Sequence, residues 1–256
     1  PIVQHLLEQP TSKRRKIKAL VVTPTRELAL QVGDNAKRYS KNTGLRTAII
    51  FGGVGQNPQV DLLRKGVDIL VATPGRLLDL QGQGHIDLRE LTHFVLDEAD
   101  QMLDMGFIHD IRKLLKIIPS KRQSLFFSAT MPKSIQELSS QILKPNYQSV
   151  RIAVDKPTAE RVTQKVYYVS KSEKPSMLIH LLQDMEGSVL VFGRTKHGCD
   201  KVVRILVKKG ITAAAIHGNK SQNARQKALK GFKAGEIRVL VATDIAARGI
   251  DISGLE

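Results

Sequence analysis

The chain has 256 residues, enough for one large or two ordinary domains with buried cores. A single cysteine, Cys199, excludes an internal disulfide framework and any multi-cysteine zinc site. The net charge of +16 points to a polyanionic partner, with a basic solvated surface as the plainer reading; aromatics at 4% and no Trp favour contacts to a phosphate backbone over a base-stacking platform.

The seven histidines show no metal-ligand spacing such as H-E-x-x-H. No apolar stretch approaches the ~20 residues of a membrane helix, and no signal peptide is visible, so a cytoplasmic protein with no membrane partner is expected. The chain starts at Pro1 without Met and stops at Glu256 in mid-pattern, which reads as truncation at both ends.

In chain order, residues 1–7 read as the tail of a helix, followed by a basic run at Lys13, Arg14, Arg15, Lys16 and Lys18. Residues 17–22 form an apolar strand. Pro24, Thr25 and Arg26 follow, then a helical pattern through Leu28, Val32 and Tyr39. A Pro beside a Thr is a sound helix start; it also presents a hydroxyl, backbone N–H groups and an arginine to a phosphate. A strand at 47–51 ends in Gly52 and Gly53, where backbone can approach a ligand closely. A short helix at 60–63 leads to a strand at 67–72. Thr73, Pro74, Gly75 and Arg76 then repeat the strand, Pro turn and arginine order. Two such turns leaving one sheet lie on the same edge and suggest a groove that tracks phosphates.

The stretch that organises the chain is 94–100. Three apolar residues run into Asp97, Glu98 and Asp100, as in a buried parallel strand whose carboxyl end opens into a cleft. One carboxylate there can hold hydrated magnesium against nucleotide phosphates while its neighbour orients a water. An acidic helix N-cap is the plainer alternative. A core-facing helix carries Ile108, Ile111, Leu114, Leu115 and Ile118, and a strand at 125–127 leads to Ser128 and Thr130. Those hydroxyls either cap the helix near Pro132 or bond the neighbouring carboxylates. Residues 149–153 read as the last strand of a first unit spanning 1–153.

Periodicity is lost around Pro157, and 154–161 reads as a linker. The α/β alternation then restarts over 162–256, with strands at 166–169, 189–192, 212–216 and 239–242 and helices at 177–182, 201–207 and 225–232. The expected fold is two α/β parallel-sheet units on a short tether. A phosphate loop, G-x-x-x-x-G-K-[ST], is missing: Gly193 to Gly198 has the glycine spacing, but Cys199 and Asp200 occupy the places of the Lys and Ser/Thr.

Taken together, P-T-R-E-L-A from Pro24, Gly52-Gly53, T-P-G-R from Thr73, D-E-A-D from Asp97, S-A-T from Ser128, V-F-G-R-T from Val191, His217-Gly218, Gln222 with Arg225, and A-T-D-I-A-A-R-G-I-D from Ala242 resemble the DEAD-box RNA helicases of helicase superfamily two over essentially the whole chain. The resemblance implies two RecA-like domains, the cofactors ATP and Mg2+, and RNA as partner. It implies that Asp97 binds magnesium and Glu98 polarises the hydrolytic water. Asp100 would link that site to Ser128 and Thr130, which couple hydrolysis to strand separation. Pro24, Thr25, Arg26, Gly53, Thr73, Pro74, Gly75 and Arg76 would grip RNA from the first domain. Arg194, Thr195, Gly218, Gln222, Arg225 and Thr243 would do so from the second. Asp251 would reach the ATP ribose, with Asp244 and Arg248 coupling the domains. The family's phosphate loop is expected upstream of Pro1 and its arginine finger beyond Glu256, so the fragment alone is expected to have little or no ATPase activity. The competing readings are a DNA translocase of the same superfamily and a non-catalytic RNA-binding clamp.

Overall fold

The computed structural model describes residues 1–9, 15–152 and 163–248. The chain divides into two compact units, one built on Pro1–Pro145 and the other on Asn146–Ala247.

The first unit is a five-stranded parallel sheet in the order β2-β3-β1-β4-β5, formed by β1 (Ala19–Val22), β2 (Thr47–Ile50), β3 (Ile69–Ala72), β4 (His93–Leu96) and β5 (Gln123–Phe126). Strands β3 and β4 are buried at every position, as continuous apolar runs covered on both faces must be, whereas the edge strand β2 alternates. The helices are α1 (Ile2–Leu7), α2 (Arg26–Tyr39), α3 (Asn57–Arg64), α4 (Pro74–Gly82), α5 (Ala99–Asp104), α6 (Ile108–Leu115) and α7 (Lys133–Ile142). Their apolar faces join Leu20, Leu70, Phe94 and Leu96 in one core through Leu77, Leu80, Ile111, Leu114 and Leu138. At Gly33 on α2 an added Cβ would lie 2.3 Å from Ile49, so the helix sits on β2 only because that residue is glycine.

The register carries the functional consequence. Ile50 lies beside Ala72, Ala72 beside Val22, Val22 beside Leu96, and Leu96 beside Phe126. All five strands therefore end level. The segments after residues 50, 72, 22, 96 and 126 leave along one edge, in that spatial order.

The second unit has a three-stranded parallel sheet, β6-β8-β7, from β6 (Val189–Phe192), β7 (Ala213–Ile216) and β8 (Val239–Ala242), with Phe192 and Ile216 each beside Ala242. Its helices are α8 (Lys174–Gln183), α9 (Lys196–Lys208), α10 (Gln222–Lys233) and the short α11 (Asp244–Ala247). Leu182, Val189, Leu206, Val239 and Val241 form its core.

Two expected strands are corrected. Residues 149–152 and 166–169 form no strand; Ala153 lies outside the described residues. Val150 and Ile152 are each 90% exposed and Tyr168 97%, so no strand among the described residues covers them. An apolar run reports readiness to pair, and the partner is a tertiary matter. The expected linker at 154–161 lies outside the described residues, as do Lys13, Arg14 and Asp251 elsewhere in the chain.

Candidate functional site

On the first sheet's edge the acidic segment follows β4. Asp97 N–H donates to Val22 O at 3.0 Å, continuing the ladder one residue past the strand, and Asp97 Oδ1 accepts Glu98 N–H at 3.0 Å. Glu98 turns the chain into α5 with φ 51° and ψ 52°. It is the only non-glycine at positive φ among the described residues. A side chain in this left-handed region is strained by roughly 1–3 kcal/mol, a burden that concentrates at functional sites. Burial pushes the Asp97 carboxyl above its ordinary range. Burial does the same at Glu98, reinforced by the charges of Asp97 and Asp100. Glu98 Oε2 is buried with no hydrogen-bond partner among the described residues.

Asp100 behaves differently. Burial pushes its carboxyl up, but the Thr130 hydroxyl and N–H, with further bonds from Gln101 and Ser128, outweigh this and hold it low. Asp100 Oδ2 accepts both Thr130 groups, at 2.8 and 2.9 Å. Ser128 Oγ accepts Asp100 N–H at 3.2 Å and donates to Thr130 O at 2.8 Å. The hydroxyls of β5's exit thus bond the acidic segment and do not cap α7, where Pro132 holds the cap position. Of three neighbouring carboxyls, one is fixed as an anion and two are left poorly solvated.

The turns after β1, β2 and β3 interlock. Thr25 caps α2, its Oγ1 accepting Leu28 N–H at 3.2 Å, and Pro24, Thr25, Thr73 and Pro74 are buried. Gly53 has φ +78°, and an added Cβ would lie 2.2 Å from the Arg26 guanidinium, so Arg26 lies across the glycine. Arg76 Nη2 donates to Val54 O at 3.0 Å, while its Nη1 is buried without a hydrogen-bond partner among the described residues. Gly75 is exposed. Backbone, Arg26 and Arg76 are thereby gathered beside the acidic segment on one edge.

Sequence reasoning missed Gln59. This buried α3 residue accepts Phe51 N–H at 2.9 Å and donates to Phe51 O at 3.2 Å and Gly55 O at 3.3 Å, holding the loop that carries Gly53. Its one local signal is a polar residue on the buried face of an amphipathic helix.

In the second unit the segments after β6, β8 and β7 likewise leave one edge. Arg194 is exposed, and Thr195 caps α9 by accepting Gly198 N–H at 3.0 Å. Gly218 follows the buried His217. Gln222 is buried at the start of α10, with Arg225 half-buried one turn later. Thr243 N–H donates to Ile216 O at 3.3 Å, and Asp244 is exposed at the start of α11, which Arg248 follows.

A divalent cation fits the first edge. Among the described residues no three His, Cys, Asp or Glu side chains cluster as a metal cage. Magnesium is usually held by one or two carboxylates together with waters and substrate phosphates, and Asp97 beside the orphaned Glu98 oxygen could supply the carboxylates.

Two family models match the chain. "DEAD/DEAH box helicase" matches residues 1–138 and "Helicase conserved C-terminal domain" matches residues 173–256. DEAD-box ATP-dependent RNA helicase 20 of Arabidopsis thaliana is 44% identical over 93% of this chain and 48% of its own length. DEAD-box ATP-dependent RNA helicase CshA of Streptococcus pneumoniae is 41% identical over 97% of this chain and 48% of its own. The chain thus spans about half the length of these curated relatives. Among solved structures, S. cerevisiae Dbp5 bound to RNA and ADP BeF3 superposes with a TM-score of 0.83 at 26% identity, covering 100% of this chain and 65% of that one. A DEAD box protein from the hyperthermophile Methanococcus jannaschii is 37% identical with a TM-score of 0.53, covering 99% of this chain and 68% of that one. With two RecA-like parallel-sheet units and both family models matched, the chain belongs to the DEAD/DEAH box helicase family.

Proposed function

We propose that the chain is part of an ATP-dependent RNA helicase that grips the RNA backbone with both domains and separates short duplexes locally. The observation that carries the proposal is the shared edge of the first sheet. The strand exits that carry Arg26, Gly53 and Arg76 share that edge with the exit that carries Asp97, Glu98 and Asp100, which supports a nucleotide-hydrolysing site next to a phosphate-gripping one.

In this reading Asp97 holds Mg2+, which when bound neutralises charge on the ATP phosphates. Glu98, its carboxyl kept basic by burial and by its acidic neighbours, orients the attacking water and accepts its proton. Asp100 passes the state of that site to Ser128 and Thr130 through the bonds described above. Arg26, Gly53, Gly75 and Arg76 grip RNA from the first domain, with Pro24, Thr25, Thr73 and Pro74 setting the turns. Arg194, Thr195, Gly218, Gln222, Arg225 and Thr243 act from the second, Asp244 and Arg248 couple the domains, and Asp251 contacts the ribose. Backbone contacts hold any sequence, and contacts to 2′-hydroxyls select RNA over DNA. We place this activity in the cytoplasm, in keeping with a lone cysteine that stays a buried free thiol.

The test is ATP hydrolysis by the full-length protein with single-stranded RNA, with single-stranded DNA, and alone. RNA stimulation that Glu98→Gln abolishes supports the helicase reading. Equal stimulation by DNA favours a translocase, and tight RNA binding without hydrolysis favours a passive clamp. The 256-residue segment contains no G-x-x-x-x-G-K-[ST] window and is expected by itself to show little or no turnover.

A further inference from the structure

We propose that Asp200 is a positioning residue: from α9 it fixes the His217 imidazole and the 217–220 turn, and so sets where the Gly218 backbone stands to meet RNA. This rests on the RNA-gripping reading of Gly218.

The turn after β7 is tied to α9 at three of its four residues. His217 is 1% exposed, and its Nε2 lies 3.1 Å from Asp200 Oδ1. Lys220 Nζ lies 2.9 Å from the same oxygen. Lys196 Nζ donates to Asn219 Oδ1 at 3.0 Å. Gly218, the fourth residue, has no side chain; the Lys196 tail runs 3.5 Å from where its Cβ would stand. The turn closes on itself through Lys220 N–H to His217 O at 3.0 Å.

The imidazole's protonation follows from its partners. Asn219 N–H donates to His217 Nδ1 at 3.3 Å, so that nitrogen carries the lone pair and Nε2 carries the proton. The Nε2–H makes no hydrogen bond among the described residues, and the Asp200 carboxylate, 3.1 Å from Nε2, is the charge that faces it. The Lys220 ammonium and then the adjoining His217 ring hold the Asp200 carboxyl low, so the anion persists at neutral pH. Asp200 is itself anchored by its neighbour Cys199, which is fully buried with its thiol against Gly193 O at 3.8 Å. The residue that spoils the phosphate-loop look-alike after Gly193 therefore has a different use.

A glycine that grips phosphate through its backbone depends on placement, because a shift near 1 Å weakens such contacts strongly. Asp200 touches no RNA in this scheme; it acts through His217.

The experiment compares the full-length protein with Asp200→Ala and Asp200→Asn. The imidazole nitrogen NMR shifts of His217 report the tautomer without RNA or ATP. The parent is expected as Nε2–H, Asp200→Ala as a mixture with Nδ1–H, and Asp200→Asn, which keeps an acceptor oxygen, as the parent. The RNA concentration giving half-maximal ATPase stimulation is expected to rise roughly five- to tenfold in Asp200→Ala. The maximal rate at saturating RNA should fall by less than about twofold, and Asp200→Asn should recover most of the affinity. An unchanged tautomer or an unchanged half-saturation in Asp200→Ala overturns the proposal. Where Asp200→Ala fails to fold, an Asp200→Asn protein that loses the parent tautomer overturns it equally. A parent protein that RNA does not stimulate sinks the helicase reading instead, and the imidazole spectrum still shows whether Asp200 sets the ring.

Discussion

Thr130 donates twice to a single oxygen of Asp100, from its hydroxyl at 2.8 Å and its N–H at 2.9 Å. Hydrogen bonds to the charged form favour it, and here they overcome burial. The folded pKa thus lies below the unfolded one. The stabilisation is complete above an unfolded value of about 3.9 and is lost as pH falls through the folded value. Thr130→Val keeps the N–H bond and removes the hydroxyl. The Asp100 carboxyl, followed by carbon NMR, should titrate at a higher pH. Duplex separation should fall more than ATP hydrolysis; equal losses would argue against Thr130 as a coupling residue.

Glu98 combines backbone strain with a poorly solvated charge. Its raised carboxyl has the opposite sign to that of Asp100. Folding is weakened as pH rises from the unfolded value through the folded one. Glu98→Gly removes both burdens, and urea unfolding should show a gain of about 1 kcal/mol after glycine's own entropy is subtracted. ATP hydrolysis by the full-length protein should drop roughly 10²- to 10⁴-fold. A loss of stability would mean that Glu98 makes contacts that outweigh its strain.

Gly53 is pinned between a positive φ and the Arg26 guanidinium. Gly53→Ala should destabilise the first unit by about 1–2 kcal/mol from the left-handed backbone alone. The displaced arginine should also weaken RNA binding, so a titration with wild-type affinity would remove Arg26 from the groove.

Arg26 and Arg194 are proposed to neutralise phosphates from separate units. Replacing either by Ala should lower the salt dependence of RNA affinity by roughly 0.7 in log–log slope, the value for one contact on a single strand. The loss should be uniform across RNA sequences. A sequence-dependent loss would instead assign the arginine to base reading.

Leu96 precedes the acidic segment and is fully buried in β4. Leu96→Ala should cost about 2–5 kcal/mol in chemical denaturation. A smaller loss would mean that the core closes over the cavity.

The α/β alternation and the strand-to-turn junctions were legible in the sequence because both are local. Runs such as 67–72 and 94–96 announce buried strands, and Pro24 and Pro74 announce helix starts. The acidic exit at Asp97 and the turns at Arg26, Gly53 and Arg76 were therefore recognisable before any fold was known. Tertiary structure decided what depends on distant partners. It set the order β2-β3-β1-β4-β5, which seats the carboxylates beside the arginine turns. It committed Ser128 and Thr130 to Asp100 rather than to a helix cap, brought Gln59 to the Gly53 loop, and placed Asp200 against His217. It also left 149–152 and 166–169 out of any sheet. Periodicity shows which face a segment would bury, but a sheet edge or a buried polar pair exists only once both sides meet.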